Sequence, residues 1–439
     1  MKRNKRRKIS YQKIFIAISA GFFLACCLYY GSRFIKLYLE NENNLKQNED
    51  ALANIVIEEN KKEDNFKKIN GNYYFTEDTD NNYIIYSNIL WRIVKINKDN
   101  TMKLISEDIL TYLAYGENNK KFEDSYINKW LNNKTEENEG ILLKELDNKN
   151  MVNDKLCIDK IAKANNQECE NYDDNLYISL LSLSDYMNAG GSKSYLNISK
   201  KYYLSSINEN KIWYVNDTGK AEESDGKDIY GIRPTITLGS ATKQDKGKGT
   251  KDDPYIINTD NLFGSYVKLS NDVYRIFETS EETLKLSLTT LLKEDNSELE
   301  HIYSNKSYYH NDTNNGSLAY FLNNTYLNKL KYKNEIISNK WANGTLNNNL
   351  NYTSCLNTKI DTKVATLSIG NILLNNLDNY FLMNGNDSST RLVYKTTEKG
   401  TVETQDVSDP AYVIPTITIK KEKLTKGNGT LEKPYELED

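Results

Sequence analysis

The chain reads Tyr230-Gly-Ile-Arg-Pro-Thr-Ile-Thr-Leu238, then a charged segment, then Gly247-Lys-Gly-Thr-Lys-Asp-Asp-Pro-Tyr255. The same pattern returns as Ala411-Tyr-Val-Ile-Pro-Thr-Ile-Thr-Ile419 and Gly427-Asn-Gly-Thr-Leu-Glu-Lys-Pro-Tyr435. Four of the five prolines fall into matched pairs in this way. Proline fixes φ and removes a backbone donor, so a proline repeated at one spacing indicates one fold used twice.

The similarity extends back to the start of each copy. Trp91-Arg-Ile-Val94 aligns with Tyr274-Arg-Ile-Phe277, and Trp130-Leu-Asn-Asn133 aligns with Phe321-Leu-Asn-Asn324. A later segment beginning at Ile178 aligns with one beginning at Val364. Two related domains are therefore predicted, at 69–258 and at 259–439, the second more divergent. Each is large enough to bury its own core.

Each domain is predicted to be α+β, with a twisted, mostly antiparallel sheet and two short helices. Ser125 and Ser317 stand where the N-cap of the first helix is expected, and Ser184 is the expected N-cap of a second helix at 185–189. Aromatic and β-branched runs predict strands at 202–204, 212–215 and 232–238.

The N-terminus has the pattern of a signal anchor. Residues 14–31 are uncharged and largely apolar, long enough for a membrane helix, and the tail at 1–13 carries seven Lys or Arg and no acid. The positive-inside rule places the tail in the cytoplasm and the rest outside, at the cell membrane. A cleaved signal peptide and a lipoprotein modified at Cys27 remain alternatives.

Charge argues against nucleic acid as a partner of the two domains. Without the seven basic residues of the tail, 50 Lys and Arg face 61 Asp and Glu. Phosphate binding needs a basic surface or stripe, and the sequence shows none.

A helical stalk or linker is predicted at 32–68. Tyr38, Leu45 and Leu52 are spaced seven apart, which suggests a dimer through a parallel coiled coil. A single solvated helix and a flexible spacer are the alternatives, since three apolar positions fall short of sustained heptads.

Several ordered motifs of the first copy resemble a bacterial surface-domain family, the domain of unknown function 6273. They are Trp91-Arg-Ile-Val94, Lys129-Trp-Leu-Asn132, Leu180-Leu-Ser-Leu-Ser-Asp-Tyr186 and Gly231-Ile-Arg-Pro234. That family in turn looks like the C-type-lectin-like fold, which also holds the formylglycine-generating sulfatase-modifying enzymes. The resemblance implies a compact twisted sheet flanked by two helices, and it brings no activity or binding residues with it.

No catalytic constellation, cofactor or metal site is predicted. The two histidines, His301 and His310, lie in one polar loop without an acid or cysteine at ligand spacing. Cys157 and Cys169 are close enough in sequence to form a local disulfide in an oxidising compartment, and two free thiols are the alternative. Cys355 would then be left over.

A ligand site is predicted in the first domain, which has Trp and Arg where the second has smaller or less polar residues. The candidates are Tyr202, Trp213, Asn216 and Arg233, expected on an exposed surface. The predicted function is a membrane-anchored surface protein that binds a glycan, a peptide or another surface protein. An envelope hydrolase with paired carboxylates and a structural subunit of an envelope assembly are the alternatives.

Overall fold

A computed structural model describes residues 50–437, except 117–120, 133–139, 165–168, 307–308, 310–315, 347–351 and 354–357. The predicted membrane span at 14–31, the basic tail and residues 32–49 of the predicted stalk lie outside these residues, as do His310 and Cys355. No helix within the described part of the chain is long and apolar enough to cross a membrane.

The fold is α+β, rich in sheet and with few helices, which confirms the predicted class at this level. The α-helices are short: α1 Leu52–Asn60, α2 Tyr126–Asn132, α3 Ile141–Glu145, α4 Leu183–Asn188, α5 Leu318–Tyr320 and α6 Leu327–Lys329. A π-helix, Phe321–Tyr326, joins α5 to α6. Turns of 3₁₀ helix cover Phe122–Asp124, Gly191–Lys193 and Lys421–Lys423.

The first half of the chain, as defined by the predicted boundaries, contains sixteen strands within its described residues. They are β1 Phe66–Ile69, β2 Asn72–Phe75, β3 Tyr83–Tyr86, β4 Ile89–Ile96, β5 Met102–Ser106, β6 Thr111–Leu113, β7 Met151–Val152, β8 Asp154–Cys157, β9 Tyr172–Leu176, β10 Ile178–Leu180, β11 Tyr202–Asn208, β12 Lys211–Val215, β13 Ala221–Ser224, β14 Tyr230–Ile232, β15 Pro234–Leu238 and β16 Tyr255–Ile257.

The second half also contains sixteen strands within its described residues. Its strands are β17 Tyr266–Leu269, β18 Asp272–Thr279, β19 Thr283–Leu288, β20 Lys293–Glu294, β21 Ser297–Glu298, β22 Glu300–His301, β23 Asn339–Ala342, β24 Lys359–Thr362, β25 Val364–Ala365, β26 Phe381–Gly385, β27 Leu392–Thr396, β28 Val402–Asp406, β29 Ala411–Tyr412, β30 Thr416–Lys420, β31 Leu424–Lys426 and β32 Tyr435–Leu437.

The main sheets of the two halves have the same strand order. In the first half the order is β3-β4-β5-β15-β10, with β16 parallel to β3. In the second half it is β17-β18-β19-β30-β25, with β32 parallel to β17. The hairpin β1-β2 is an addition of the first half, where β2 pairs with the end of β4.

The cross-strand register agrees as well. Ile93 pairs with Leu104 and Leu104 with Ile236, and the aligned residues of the second half, Ile276, Leu286 and Ile417, pair in the same way. A register shift follows Ile93 in β4 and Ile276 in β18. These residues are all fully buried, so the apolar face of each sheet forms a core.

Two local structural features recur in both halves, an Asn side chain bonded to a strand backbone and a Gly–Pro turn. The Asn132 side chain donates to Ile178 O (2.6 Å) and accepts from its N–H (3.0 Å), and Asn323 does the same to Val364 (2.8 and 3.0 Å). Gly247 and Gly427 have positive φ of 104° and 91°. A Cβ at either position would collide with the carbonyl oxygen of Pro254 or Pro434, so the matched Gly–Pro turns require glycine.

Helix caps follow the prediction in part. Ser125 accepts a hydrogen bond from Asn128 N–H (2.9 Å), and Ser317 accepts one from Tyr320 N–H (3.1 Å). The predicted cap at Ser184 is wrong, because α4 begins at Leu183 and the Ser182 hydroxyl accepts from Asp185 N–H (3.0 Å). The second half has a turn at 369–371 in the place of α4, and its short helices α5 and α6 both lie in the segment of the predicted first helix.

The end of the predicted stalk is part of the folded structure. Helix α1 buries Leu52, Ala53 and Val56 in the core, and Leu52 N–H donates to Thr242 O (2.8 Å). Leu52 is therefore covered by its own chain and cannot serve as a coiled-coil contact. The other two spaced positions, Tyr38 and Leu45, lie outside the described residues.

The two halves pack against each other through backbone and side-chain hydrogen bonds. Trp130 Nε1 donates to Gly370 O (2.7 Å), and Leu373 N–H donates to Leu110 O (2.7 Å). Arg275 Nη2 donates to Asn88 O (2.6 Å), and Lys200 pairs with Asp378 (2.8 Å).

Candidate functional site

The polar face of the first main sheet lies opposite its apolar core face. Lys95 of β4 is the cross-strand neighbour of Lys103 of β5, and Thr237 of β15 is the next neighbour along this row. Thr235 and Ser179 continue the same face on β15 and β10. Two lysines directly opposite each other repel, so this face is stable only if negative charge lies close by.

Two aspartates supply that charge from outside the sheet. Asp185 at the start of α4 accepts from Lys95 Nζ (2.7 Å) and from the Tyr74 hydroxyl (2.9 Å). Asp154 of β8 pairs with Lys103 Nζ (3.0 Å), which also lies 3.9 Å from Asp185. All four charged side chains are at least nine-tenths buried. Buried charges are tolerated only when they are closely paired, and these contacts pair all four.

Hydroxyl groups complete the coordination of Asp154. Thr237 Oγ1 donates to Asp154 Oδ1 (2.6 Å), and Thr235 Oγ1 donates to Oδ2 (3.0 Å). Ser179 Oγ also donates to Oδ2. The carboxylate thus receives three hydroxyl donors in addition to the ammonium group.

Both carboxyl groups stay ionised at neutral pH. Burial by itself would raise the pKa of Asp154, but Lys103 and the hydroxyls of Ser179 and Thr237 outweigh it, so its pKa is lowered. Burial also opposes ionisation of Asp185, and Lys95, Lys103 and Tyr74 together lower its pKa. Burial first and the negative Asp185 second raise the pKa of the Tyr74 hydroxyl, which keeps its proton.

A cleft of about 490 Å³ opens above this cluster. Its wall is rich in side-chain amides, contributed by Asn70, Asn72, Asn97, Asn153 and Asn188. Its rim is partly apolar, because Val152 and Tyr172 line it and are 37% and 47% exposed. The cleft therefore combines a charged floor, hydrogen-bonding walls and an exposed aromatic ring.

The disulfide Cys157–Cys169 closes the β8-β9 hairpin that carries Asp154 and Tyr172 (S–S 2.09 Å). Cys169 also lines the cleft. Cys157, Cys169 and Asp159 cluster closely enough to suggest metal ligands. Their atoms are already used, since the sulfurs are bonded to each other and Asp159 accepts from Glu170 N–H and from the Asn171 side chain (2.7 Å).

The predicted ligand residues lie elsewhere, and three of them are buried. Tyr202 and Arg233 are fully buried and Trp213 is 6% exposed. Arg233 donates to Ser106 O and Leu196 O (both 3.0 Å) and lies over the Tyr202 ring. Trp213 Nε1 donates to Ile161 O (2.8 Å). The expectation of an exposed surface is wrong for these three, because backbone carbonyl groups of the interior accept hydrogen bonds from their side chains, including one from the Tyr202 hydroxyl to Leu196 O (2.9 Å). Within the described residues Arg233 Nη2 is buried without a hydrogen-bond partner.

Asn216 is half-buried and has a local role. Its side-chain oxygen accepts from Thr218 N–H and Lys220 N–H (both 2.9 Å), and its amide donates to Glu222 (2.8 Å). It therefore shapes the β12-β13 turn. The described histidine, His301, stacks on Phe321 with ring centroids 4.8 Å apart.

Sequence reasoning missed Lys95, Lys103, Asp154 and Asp185. One signal was present, since Lys95 and Lys103 each lie between two apolar residues of a predicted strand. Charged residues inside such strands are rarely buried without a partner. The partners themselves come from distant segments, with Lys95 and Asp185 separated by 90 residues.

No protein-family model, curated protein or solved structure matches the chain.

Proposed function

We propose that the protein is a surface-displayed binding protein and that the cleft of the first half is its saccharide-binding site. The observation that carries this proposal is the combination in one cleft of five asparagine side chains, a buried ionic floor and the exposed ring of Tyr172. Ligand sites of this kind orient a ligand with a few placed polar groups against an apolar surface.

A sugar ring suits these surfaces better than a peptide does. A pyranose has one apolar C–H face that packs on an aromatic ring, and hydroxyls around its edge that both donate and accept hydrogen bonds. Asparagine amides also both donate and accept hydrogen bonds, so they complement the sugar hydroxyls. Peptide binding by strand addition would instead use a free sheet edge, and the cleft lies over the face of the sheet.

A paired-carboxylate hydrolase is not favoured at this cleft. Such an enzyme needs one carboxyl group whose pKa is raised so that it can act as a general acid. Here the lysines and hydroxyls lower the pKa of both Asp154 and Asp185. Neither carboxyl group therefore suits the role of a general acid, and the cleft is better suited to binding a ligand than to hydrolysing it.

We also propose that the two halves arose by duplication, that the protein is anchored in the membrane and displayed outside the cytoplasm, and that its fold is C-type-lectin-like. The shared strand order and register support duplication of one domain, and the Cys157–Cys169 disulfide supports an oxidising compartment outside the cytoplasm. The apolar segment 14–31 after a basic tail supports a membrane anchor. A sheet flanked by short helices is compatible with a C-type-lectin-like fold and with the surface-domain family named above.

A glycan array probed with the full chain in mild detergent tests the saccharide proposal. For any glycan that binds, Tyr172→Ala is expected to weaken binding about tenfold, because it removes the stacking surface. Ile158→Ala is the matched control, since Ile158 is 51% exposed on the same hairpin and does not line the cleft.

Two results would overturn the proposal. One is an array on which no glycan binds. The other is a bound glycan whose affinity falls equally in the Tyr172→Ala and Ile158→Ala variants, which would place the ligand outside the cleft.

A further inference from the structure

We infer that the ligand of this cleft is an acidic saccharide, a sugar with a single carboxylate on the ring that enters the cleft. The inference rests on the saccharide function proposed above and specifies the class of sugar. It is carried by the charge of the cleft lining, the position of Lys95 and the difference between the two halves.

The cleft is electropositive although the chain is acidic. Its described lining contains four lysines and three aspartates, namely Lys95, Lys98, Lys103, Lys155, Asp99, Asp154 and Asp185. The whole chain has a net charge of −4, and without the seven basic residues of the N-terminal tail the net charge of the remainder is −11. An excess of one positive charge in a concave site attracts an anion.

Lys95 provides a place for that anion. Its side chain is 9% exposed, its Nζ donates to Asp185, and the residue lines the cleft. An ammonium group has three hydrogens, and within the described residues Asp185 is its hydrogen-bond partner. Two hydrogens therefore remain for an oxygen atom of a ligand.

The buried aspartates limit the ligand to one negative charge. Asp154 and Asp185 are ionised and lie within 3.0 and 3.9 Å of Lys103 Nζ. A second negative charge on the ligand would be repelled by these carboxylates at short range and low local dielectric. A carboxylate matches the excess of one positive charge, whereas a phosphate monoester carries about −1.5 to −2.

The second half lacks this arrangement. Glu278 stands at the position of Lys95, and it pairs with Lys285 at 2.9 Å. A carboxylate at this position repels an anion, where the ammonium group of Lys95 attracts one. The preference for an acidic sugar belongs to the first half.

Three sugars that share a ring and differ at C6 form the test. Galactose, galacturonic acid and galactose 6-phosphate, together with the corresponding glucose series, are titrated into the full chain by calorimetry. The uronic acid is expected to bind about tenfold more tightly than the neutral sugar and more tightly than the phosphate.

Two double variants locate the effect. Lys98→Gln with Lys155→Gln removes two exposed lysines of the cleft and should reduce the preference for the uronic acid, measured as the ratio of its affinity to that of the neutral sugar in the same variant. Lys211→Gln with Lys227→Gln removes two exposed lysines of the same half outside the cleft and should leave the preference intact. Both pairs are at the surface, so neither threatens the fold.

The outcomes distinguish failure of the acidic-sugar inference from failure of the saccharide function. Equal binding of neutral and acidic sugars, tighter binding of the phosphate, or a preference that is undiminished in the Lys98 and Lys155 double variant would overturn the acidic-sugar inference and leave the saccharide function standing. If no sugar of either series binds and the glycan array is also silent, the saccharide function itself is overturned.

Discussion

The same sheet face carries four buried charges in the first half and one partly exposed ion pair in the second. In the first, Lys95, Lys103, Asp154 and Asp185 form two buried ion pairs beneath the cleft. In the second, Glu278, Lys285, Asn339 and Asn371 stand at the aligned positions. Asparagine replaces both aspartates, and one pair of charges replaces two.

The second half stabilises its face by packing and neutral hydrogen bonds. Asn339 Nδ2 donates to Thr418 Oγ1 (3.3 Å), where Asp154 accepts from Thr237. Trp341, two residues after Asn339, is buried and lies 5.0 Å from Lys285 Nζ, where the first half has Leu156. The larger ring fills space beside the lysine.

The comparison shows that the sheet does not require the ion pairs. Identical strand order and register form with four buried charges and with two partly exposed ones. Buried ion pairs contribute little net stability compared with apolar packing, so their presence in one half alone indicates a role other than folding. That role is the proposed recognition of a ligand.

Replacing Asp154 by Asn, the residue of the second half, is expected to give the largest effect. The change leaves Lys103 buried with only a distant carboxylate, and breaking a buried pair costs about 3–5 kcal/mol of unfolding free energy. The measurement is the urea midpoint of the full chain at pH 7, with the slope checked for a constant value.

Asn339→Ala is the control for that experiment. It removes two neutral hydrogen bonds, one that Asn339 donates to Thr418 and one that its side-chain oxygen accepts from Lys340 N–H, and is expected to cost about 1–2 kcal/mol. Equal losses in the two variants would contradict the view that the two halves stabilise this face differently.

The contact between the halves is predicted to weaken as the pH rises. Glu145 of α3 is buried and accepts from Thr279 N–H and Oγ1 (2.7 Å). Burial raises its pKa from 4.5 to about 7, and the hydrogen bonds from Thr279 only partly oppose this. Folded Glu145 therefore keeps its proton at pH values where the unfolded chain has lost it.

The sign of the pH effect follows from that difference. Between pH 4.5 and about 7 the folded state binds more protons, so unfolding free energy falls with rising pH, by at most about 3 kcal/mol in total. Glu145→Gln should remove this dependence. Urea midpoints at pH 5 and pH 8 measure it, and a pH dependence of equal size in the wild-type chain and the Gln variant would contradict the prediction.

The sequence predicted those features that depend on local spacing. The α+β class followed from alternating apolar residues, and the caps at Ser125 and Ser317 followed from residue type before a helical pattern. Each of these depends on neighbours within a few positions, and such neighbours are visible in one sequence.

The charged cluster and the buried Arg233 depend on distant partners and were not predictable in that way. Asp185 lies 90 residues from Lys95, and the carbonyl of Ser106 lies 127 residues from Arg233. Arginine is almost never fully buried unless paired, so exposure was the expected outcome for Arg233. Only the folded chain shows that carbonyl groups of two remote segments receive its guanidinium group.

The smallest predicted effect concerns the helix that only the first half forms. The Ser182 hydroxyl caps α4 by accepting from Asp185 N–H, which also fixes the backbone that carries the Asp185 carboxylate into the cleft. Ser182→Ala should cost about 1 kcal/mol, the usual value of an N-cap. Ser192→Ala, at an exposed serine beyond the end of α4, should change the unfolding free energy by less than about 0.5 kcal/mol.

Because the second half has a turn here, Ser368→Ala should disturb no helix, and the far-ultraviolet dichroism should fall only in the Ser182 variant. An equal loss of helical signal from Ser182→Ala and Ser368→Ala would show that the halves do not differ at this position.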